Sequence, residues 1–420
     1  MIRRYLQDSI LDSLTHFPVI LLTGARQVGK STLAQGLINS SWNAAYLTLD
    51  DRAVLDAALR DPDGLISGVP IPVVIDEVQR APDLMRAIKK SVDRHQKPGQ
   101  YLLTGSANIM TLSTVSESMA GRVVLHTLPP FGWPEFLGKP LPTVLKGLFE
   151  TASARQLLQH LPNPPQKDYR AQIMKRILAG GYPTPALMTS DRVRGEWFSS
   201  YRQTYLERDL LNLRSIEHIP DFNRLLSLAA FRTGRLLNLS DLSRETGLPF
   251  TTLRRYMNLL EVTYQIFLLR PYFTHAGKRL VKTPKIYFSD TGMASHLTGA
   301  DDWPLLDKQG NAGPMVETWI ASELLKLMPL LDHRMRLYFW RTQTGQEVDF
   351  LIERGRDLVA IEVKWTHRIE ASDIRNLEQC AEDLKDRLCF SVVLYGGTEI
   401  VPLSRKSVAL PFPVFFGIEM

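Results

Sequence analysis

Cysteine is scarce in this chain: two in 420 residues, Cys380 and Cys389. That is too few for a disulfide framework and leads to the expectation of reduced thiols in a cytoplasmic protein. The nine histidines are scattered, with no pair at helical ligand spacing, which argues against a zinc site. No apolar run reaches the roughly 18 residues that a membrane span needs. The longer ones, such as Met257 to Arg270, are broken by Glu or Arg. The first residues, Met1-Ile2-Arg3-Arg4-Tyr5-Leu6-Gln7-Asp8, lack the apolar core of a secretory signal. What remains is the ordinary makeup of a globular protein, 44% hydrophobic and 22% charged. The length suits two or three domains, each with its own core.

Charge is unevenly spread. Residues 166–290 hold 20 Lys and Arg against 11 Asp and Glu, whereas the whole chain carries only +6. A basic middle between near-neutral ends points to a polyanionic partner, with a solvated helical surface as the plainer reading.

The most specific motif lies near the start. Gly24-Ala25-Arg26-Gln27-Val28-Gly29-Lys30-Ser31 fits G-x-x-x-x-G-K-[ST], entered from the apolar run Pro18–Leu22 and followed by the helix-like Ser31-Thr32-Leu33-Ala34. Glycines let backbone N–H groups approach the phosphates of ATP, and a helix N-terminus adds positive potential. Lys30 suits the β- and γ-phosphates, and Ser31 suits Mg²⁺. A glycine turn before a helix is the bland alternative. Pro72-Val73-Val74-Ile75-Asp76-Glu77 is an apolar strand ending in two acids, which suits Asp76 to Mg²⁺ and Glu77 to orienting the attacking water. Tyr101–Asn108 is a third such strand, bringing Ser106 or Asn108 towards the γ-phosphate, although a strand-end serine is as often a plain turn residue.

Residues 1–140 alternate strands (Val19–Thr23, Ala45–Leu49, Val73–Asp76, Tyr101–Gly105, Val123–Thr127) with helical stretches, the pattern of a covered parallel sheet. A Pro/Gly-rich break opens a helical linker or lid over 141–230. Within 231–290, Leu239–Pro249 and Phe250–Glu261 have helix-turn-helix spacing, and two strands follow with Lys278-Arg279-Leu280-Val281-Lys282 as a basic wing. In a winged helix Arg254 and Arg255 would meet duplex DNA, with Lys278 and Arg279 on its backbone. Winged helices also serve as protein-binding lids.

Residues 291–420 carry a second chemistry. Asp349 and, thirteen positions on, Glu362-x-Lys364 fall on consecutive strands, so Glu362 and Lys364 share a face that Asp349 can meet. Asp349 and Glu362 together suit Mg²⁺, Lys364 suits activating water, and Glu317 on the preceding helix completes the acid set. A Lys–Glu pair on an exposed sheet is the structural alternative for any one of them.

GARQVGKST, VVIDEVQ and LLTGSAN together resemble an archaeal-type AAA+ ATPase domain. VETWIASELL, FWRTQTGQEVDFLI and AIEVKW resemble DUF4143, a domain of unknown function usually fused to it. The resemblance implies an α/β protein: a P-loop NTPase parallel sheet, a helical and winged-helix middle, and a C-terminal domain similar to the PD-(D/E)xK nuclease fold. It carries Glu317, Asp349, Glu362 and Lys364 onto nuclease positions, in folds that serve either for cleavage or as binding platforms. It also places Arg122 or Arg208 as an arginine acting on a neighbouring subunit's γ-phosphate. The implied function is an ATP-hydrolysing protein acting on duplex or branched DNA, as a homo-oligomer or ring away from membranes. An ATP-controlled assembly switch that binds protein is the alternative.

Overall fold

The computed structural model describes residues 2–39, 41–106, 119, 121–206, 218–273 and 282–419. Asn108, Arg208, Lys278 and Arg279 lie outside them. The chain divides into two compact units, Met1–Phe131 with Leu259–Gln265, and Gly132–Asn258 with Ile266–Met420.

The first unit is built on five short strands, β1 (Val19–Thr23), β2 (Ala45–Thr48), β3 (Val73–Asp76), β4 (Tyr101–Thr104) and β5 (Val123–Thr127). All pair in parallel, in the order β2-β3-β4-β1-β5. Strands β1, β3 and β4 are buried along their whole length, which is why they read as unbroken apolar runs rather than alternating ones. Val19, Leu21, Val73, Ile75, Tyr101 and Leu103 pack with Leu84, Met85, Ile88 and Val92. The last four lie on one face of helix Leu84–His95, at helical spacing. Helices α1 (Leu6–His16) and α2 (Lys30–Leu37) pack against this sheet as well. Because β1 lies between β4 and β5 and β3 lies beside β4, the C-terminal ends of β1, β3 and β4 come together. Chemistry in an open parallel sheet collects at such an edge.

The second unit holds a six-stranded mixed sheet, a three-stranded antiparallel sheet and helices. Helices α3 (Leu239–Thr246) and α4 (Phe250–Val262) are joined at Gly247, a left-handed C-cap with φ 73°. The three-stranded sheet follows in the order β6 (Arg235–Leu236), β8 (Lys285–Phe288), β7 (Ile266–Leu269). The six-stranded sheet comprises β9 (Met335–Arg341), β10 (Glu347–Arg354), β11 (Asp357–Lys364), β12 (Leu388–Tyr395), β13 (Val401–Ser404) and β14 (Ser407–Pro411), ordered β13-β14-β12-β11-β10-β9. Strands β9, β10 and β11 run antiparallel, and β11, β12 and β14 run parallel. The long helix α5 (Ala312–Leu331) packs on β8, β9 and β11, and α6 (Ala371–Leu384) packs on β10, β11 and β12. Cys380, inside α6, and Cys389 are both free thiols. Among the described residues no helix is long and apolar enough to cross a membrane.

Candidate functional site

The turn from β1 into α2 is made by backbone that few residues adopt: Gly24 at φ 141°, Gln27 at φ 60° and Gly29 at φ 95°. A Cβ on Gly24 would lie 2.3 Å from the Leu128 carbonyl oxygen, so this turn closes only around glycine. Gly29 is the N-cap of α2 and offers no side-chain acceptor to the first turn of the helix, whose N-terminus carries positive potential. The Lys30 ammonium is buried and donates to the carbonyls of Gly24 (3.2 Å) and Ala25 (3.0 Å). Arg26 is half-buried, Thr32 is exposed on the first turn of α2, and Val28 is packed away from solvent. Arg4 holds this loop from behind, donating to Val28 O (2.9 Å) and Pro129 O (2.6 Å) while its guanidinium sits over Phe131.

Asp76, at the end of β3, gathers the site. It is 4% exposed and accepts from three hydroxyls. Ser31 donates from α2 at 2.9 Å, Tyr46 donates from β2 at 3.0 Å, and Thr104 donates from the end of β4. Burial first, and then the Asp76 charge, push the Tyr46 phenol up to about 12, so it stays a donor. Thr104 also accepts the Glu77 N–H at 3.1 Å, fixing that residue in a left-handed conformation at φ 60°. Gln79 donates to the Glu77 carboxylate and to Ser106 Oγ (2.9 Å). Tyr264 donates to Thr23 Oγ1 at 2.9 Å at the end of β1. The structure thus brings together Lys30, Ser31, Asp76, Glu77 and Ser106. Arg122 is engaged in the same unit by a bidentate ion pair with Asp93 (2.5 and 3.1 Å).

In the second unit Arg254 and Arg255 are exposed on α4, Arg254 beside the exposed Phe250 ring. The acids of its C-terminal part also converge. Asp349 accepts the Val363 N–H at 2.9 Å, and Lys364 pairs with Glu362 at 3.0 Å. Glu317 comes in from α5, where Tyr287 and Lys285 (2.8 Å) donate to it. Lys285, 3% exposed, also reaches Glu347 at 2.5 Å and stands 3.9 Å from Asp349. An ammonium therefore lies among three carboxylates. Among the described residues, no group of three or more His, Cys, Asp and Glu side chains is placed to hold a metal ion. The expected Asp349–Glu362 metal pair is, as it stands, part of an ion-paired cluster.

Burial dominates the protonation of these acids. It raises the Glu362 carboxyl to about 8, with the Asp349 charge adding to the rise and Lys364 opposing it. Glu317 is raised to about 7, by burial and Asp349 against Lys285. Glu362 Oε2 is buried and pairs with no protein group.

Tyr46, Thr104, Gln79, Arg4 and Tyr264 around the phosphate loop, and Lys285, Tyr287 and Glu347 in the acid cluster, escape a reading of the sequence. Two carried a local signal: Thr104 and Gln79 sit inside the LLTGS and DEVQ segments themselves.

An AAA domain family matches residues 16–137, and domains of unknown function match 170–303 (DUF8612) and 312–415 (DUF4143). The uncharacterized protein Rv2008c of Mycobacterium tuberculosis is 32% identical over 401 residues, spanning 95% of this chain and 81% of its own length. The uncharacterized protein Mb2031c of Mycobacterium bovis gives the same figures. A looser likeness is to the Walker-type ATPase PABY2304 of Pyrococcus abyssi. That match has a TM-score of 0.44 at 14% identity, over 71% of this chain and 96% of that one.

The buried acids set a pH dependence. A carboxyl raised in the folded state keeps a proton that the unfolded chain gives up near its ordinary value. Its stabilising effect is complete below about 4.5 and is lost as pH rises through the folded value near 8. The urea midpoint of the full chain is expected to fall across that window. In Glu362→Gln, which carries no titrating proton there, the slope should flatten. An unchanged slope in that variant contradicts the assignment.

Proposed function

We propose that this chain, which belongs to the family of those two mycobacterial proteins and carries a P-loop AAA-type domain, binds and hydrolyses ATP and acts on DNA. The observation that carries the ATPase reading is the convergence on Asp76 of donors from α2, β2 and β4, directly beneath a loop that only glycine can close.

In this reading the backbone of residues 24–31 and the α2 N-terminus receive the phosphates, and Lys30 exchanges its two carbonyl partners for phosphate oxygens. The Ser31 hydroxyl and the Asp76 carboxylate, in direct contact and both oxygen donors, fit Mg²⁺, which when bound shields charge on the β- and γ-phosphates. Glu77 orients a water whose oxygen forms a bond to the γ-phosphorus. The bond from that phosphorus to the bridging oxygen breaks and ADP leaves. The water proton passes by way of the Glu77 carboxylate to the released phosphate. Arg122, as a residue acting on a neighbouring subunit's γ-phosphate in a ring, would have to leave Asp93. The ion pair is exposed, so water competes for both partners and the pair is readily exchanged.

DNA contact is assigned to α4, where Arg254 and Arg255 are exposed in the second helix of a helix-turn-helix. For the C-terminal acid cluster, the Lys285 ammonium among Glu317, Glu347 and Asp349 favours a binding platform over a metal-dependent nuclease. No cleavage step is assigned to Lys364.

Lys30→Ala should lose ATP turnover and weaken nucleotide binding, whereas Glu77→Gln should keep binding and turn over at least a hundredfold more slowly, about the scale of losing one oriented catalytic group. Phosphate release and binding of a fluorescent ATP analogue measure both, and wild-type turnover in Glu77→Gln would remove Glu77 from the chemistry. Reversing Arg254 and Arg255 to Glu should abolish binding to a duplex at low salt, and wild-type affinity should fall steeply as salt rises. Salt-independent or undiminished binding in the reversed variant would favour the assembly-switch reading.

A further inference from the structure

Gln79 takes no part in the ATP chemistry assigned to this site, yet it bonds the residues that follow β3 and β4, Glu77 and Ser106. It lies in the one-turn helix Val78–Arg80 that follows Glu77. Its neighbours are anchored: Val78 is fully buried, Glu77 is fixed by the Thr104 hydroxyl, and Arg80 pairs with Asp50 at 2.6 Å. The turn therefore presents Gln79 in one place. Its carboxamide nitrogen donates to Glu77 Oε2 and to Ser106 Oγ, at 2.9 Å to the latter. A carboxylate only accepts, so the amide atom facing Glu77 has to be the nitrogen, and the side chain has one orientation. Both of its N–H bonds are then committed. Ser106 accepts one of them, which leaves its own hydroxyl proton to donate elsewhere, and an anionic oxygen such as that of a γ-phosphate is its natural acceptor. The third polar atom, Gln79 Oε1, is buried and pairs with no protein group.

We propose that Gln79 is a positioning residue of the ATPase site, yoking the Glu77 carboxylate to Ser106 so that the acid's orientation depends on what the Ser106 hydroxyl engages. This rests on the ATP-hydrolysing reading of the same site. Glutamate has three rotatable side-chain bonds, and an untethered carboxylate at the end of them spends little time in the one productive pose. Misplacement of an orienting group by about 1 Å costs on the order of a hundredfold in rate. Gln79 makes its bonds to Glu77 and Ser106, not to Lys30, Ser31 or Asp76. The yoke therefore governs turnover and leaves the grip on the nucleotide alone.

The test is a mutant cycle on the full chain, reading ATP turnover together with equilibrium binding of a fluorescent ATP analogue. Gln79→Ala should lower kcat by about ten- to a hundredfold with the nucleotide Kd unchanged within about twofold. Gln79→Asn, one methylene shorter and unable to span both partners, should be no better. Ser106→Ala should share the defect, and the double variant should be no slower than the worse single, because the two residues act as one device. Three results each overturn the proposal: wild-type kcat in Gln79→Ala, losses that multiply in the double variant, or a Kd that weakens in step with kcat. The last would mark Gln79 as merely structural. If wild type turns over ATP while Gln79→Ala is unaffected, the yoke falls and the ATPase stands. If wild type binds ATP without turning it over, both fall.

Discussion

The first unit depends on one carboxylate. Asp76 ends a strand with no exposed residue and accepts hydroxyl protons from Ser31, Tyr46 and Thr104, which lie on three different elements. A buried carboxylate left without donors would be costly, and three well-placed hydroxyls compensate for lost water. The geometry runs both ways. Satisfying Asp76 fixes the start of α2 against the ends of β3 and β4, which sets the phosphate loop, and the same Thr104 that serves Asp76 fixes the backbone of Glu77. A ligand that replaced these hydroxyls on Asp76 would be felt at once in α2, β2 and β4.

The second unit contains a comparable but opposite device. There, acids outnumber the bases, and the Lys285 ammonium from the three-stranded sheet lies between a helix residue, Glu317, and two strand residues, Glu347 and Asp349. Burial raises Glu317 and Glu362 well above ordinary carboxyl values, whereas the same burial acting on Lys285 is outweighed by its carboxylate neighbours and leaves it firmly charged. Such a cluster strongly penalises the loss of any one partner while adding modest net stability.

The phosphate-loop edge was legible in the sequence because its motifs are local. Gly24 to Ser31 is one contiguous turn, and Asp76 and Glu77 end a run of buried β-branched residues whose strand character needs no tertiary information. The strands of the parallel sheet were readable for the same reason. The supporting residues were not, since Arg4 reaches Pro129 across the chain and Tyr264 reaches Thr23 from 241 residues away. No periodicity announces such a contact. In the acid cluster the spacing of Asp349, Glu362 and Lys364 was visible from strand alternation, but Lys285 opened what read as an apolar strand beside a basic wing. Only folding reveals that its charge is spent inward on carboxylates.

The most direct test of the account is the Mg²⁺ dependence of nucleotide affinity, because Asp76 is assigned to hold the ion together with Ser31. Titrating a fluorescent ATP analogue with and without Mg²⁺ should show the ion tightening binding to the wild type. In Asp76→Asn, which still accepts hydroxyl hydrogen bonds through its carbonyl oxygen but lacks the charge, affinity should no longer respond to Mg²⁺. A wild type indifferent to Mg²⁺, or an Asp76→Asn variant that responds as the wild type does, would contradict the central place given to this carboxylate.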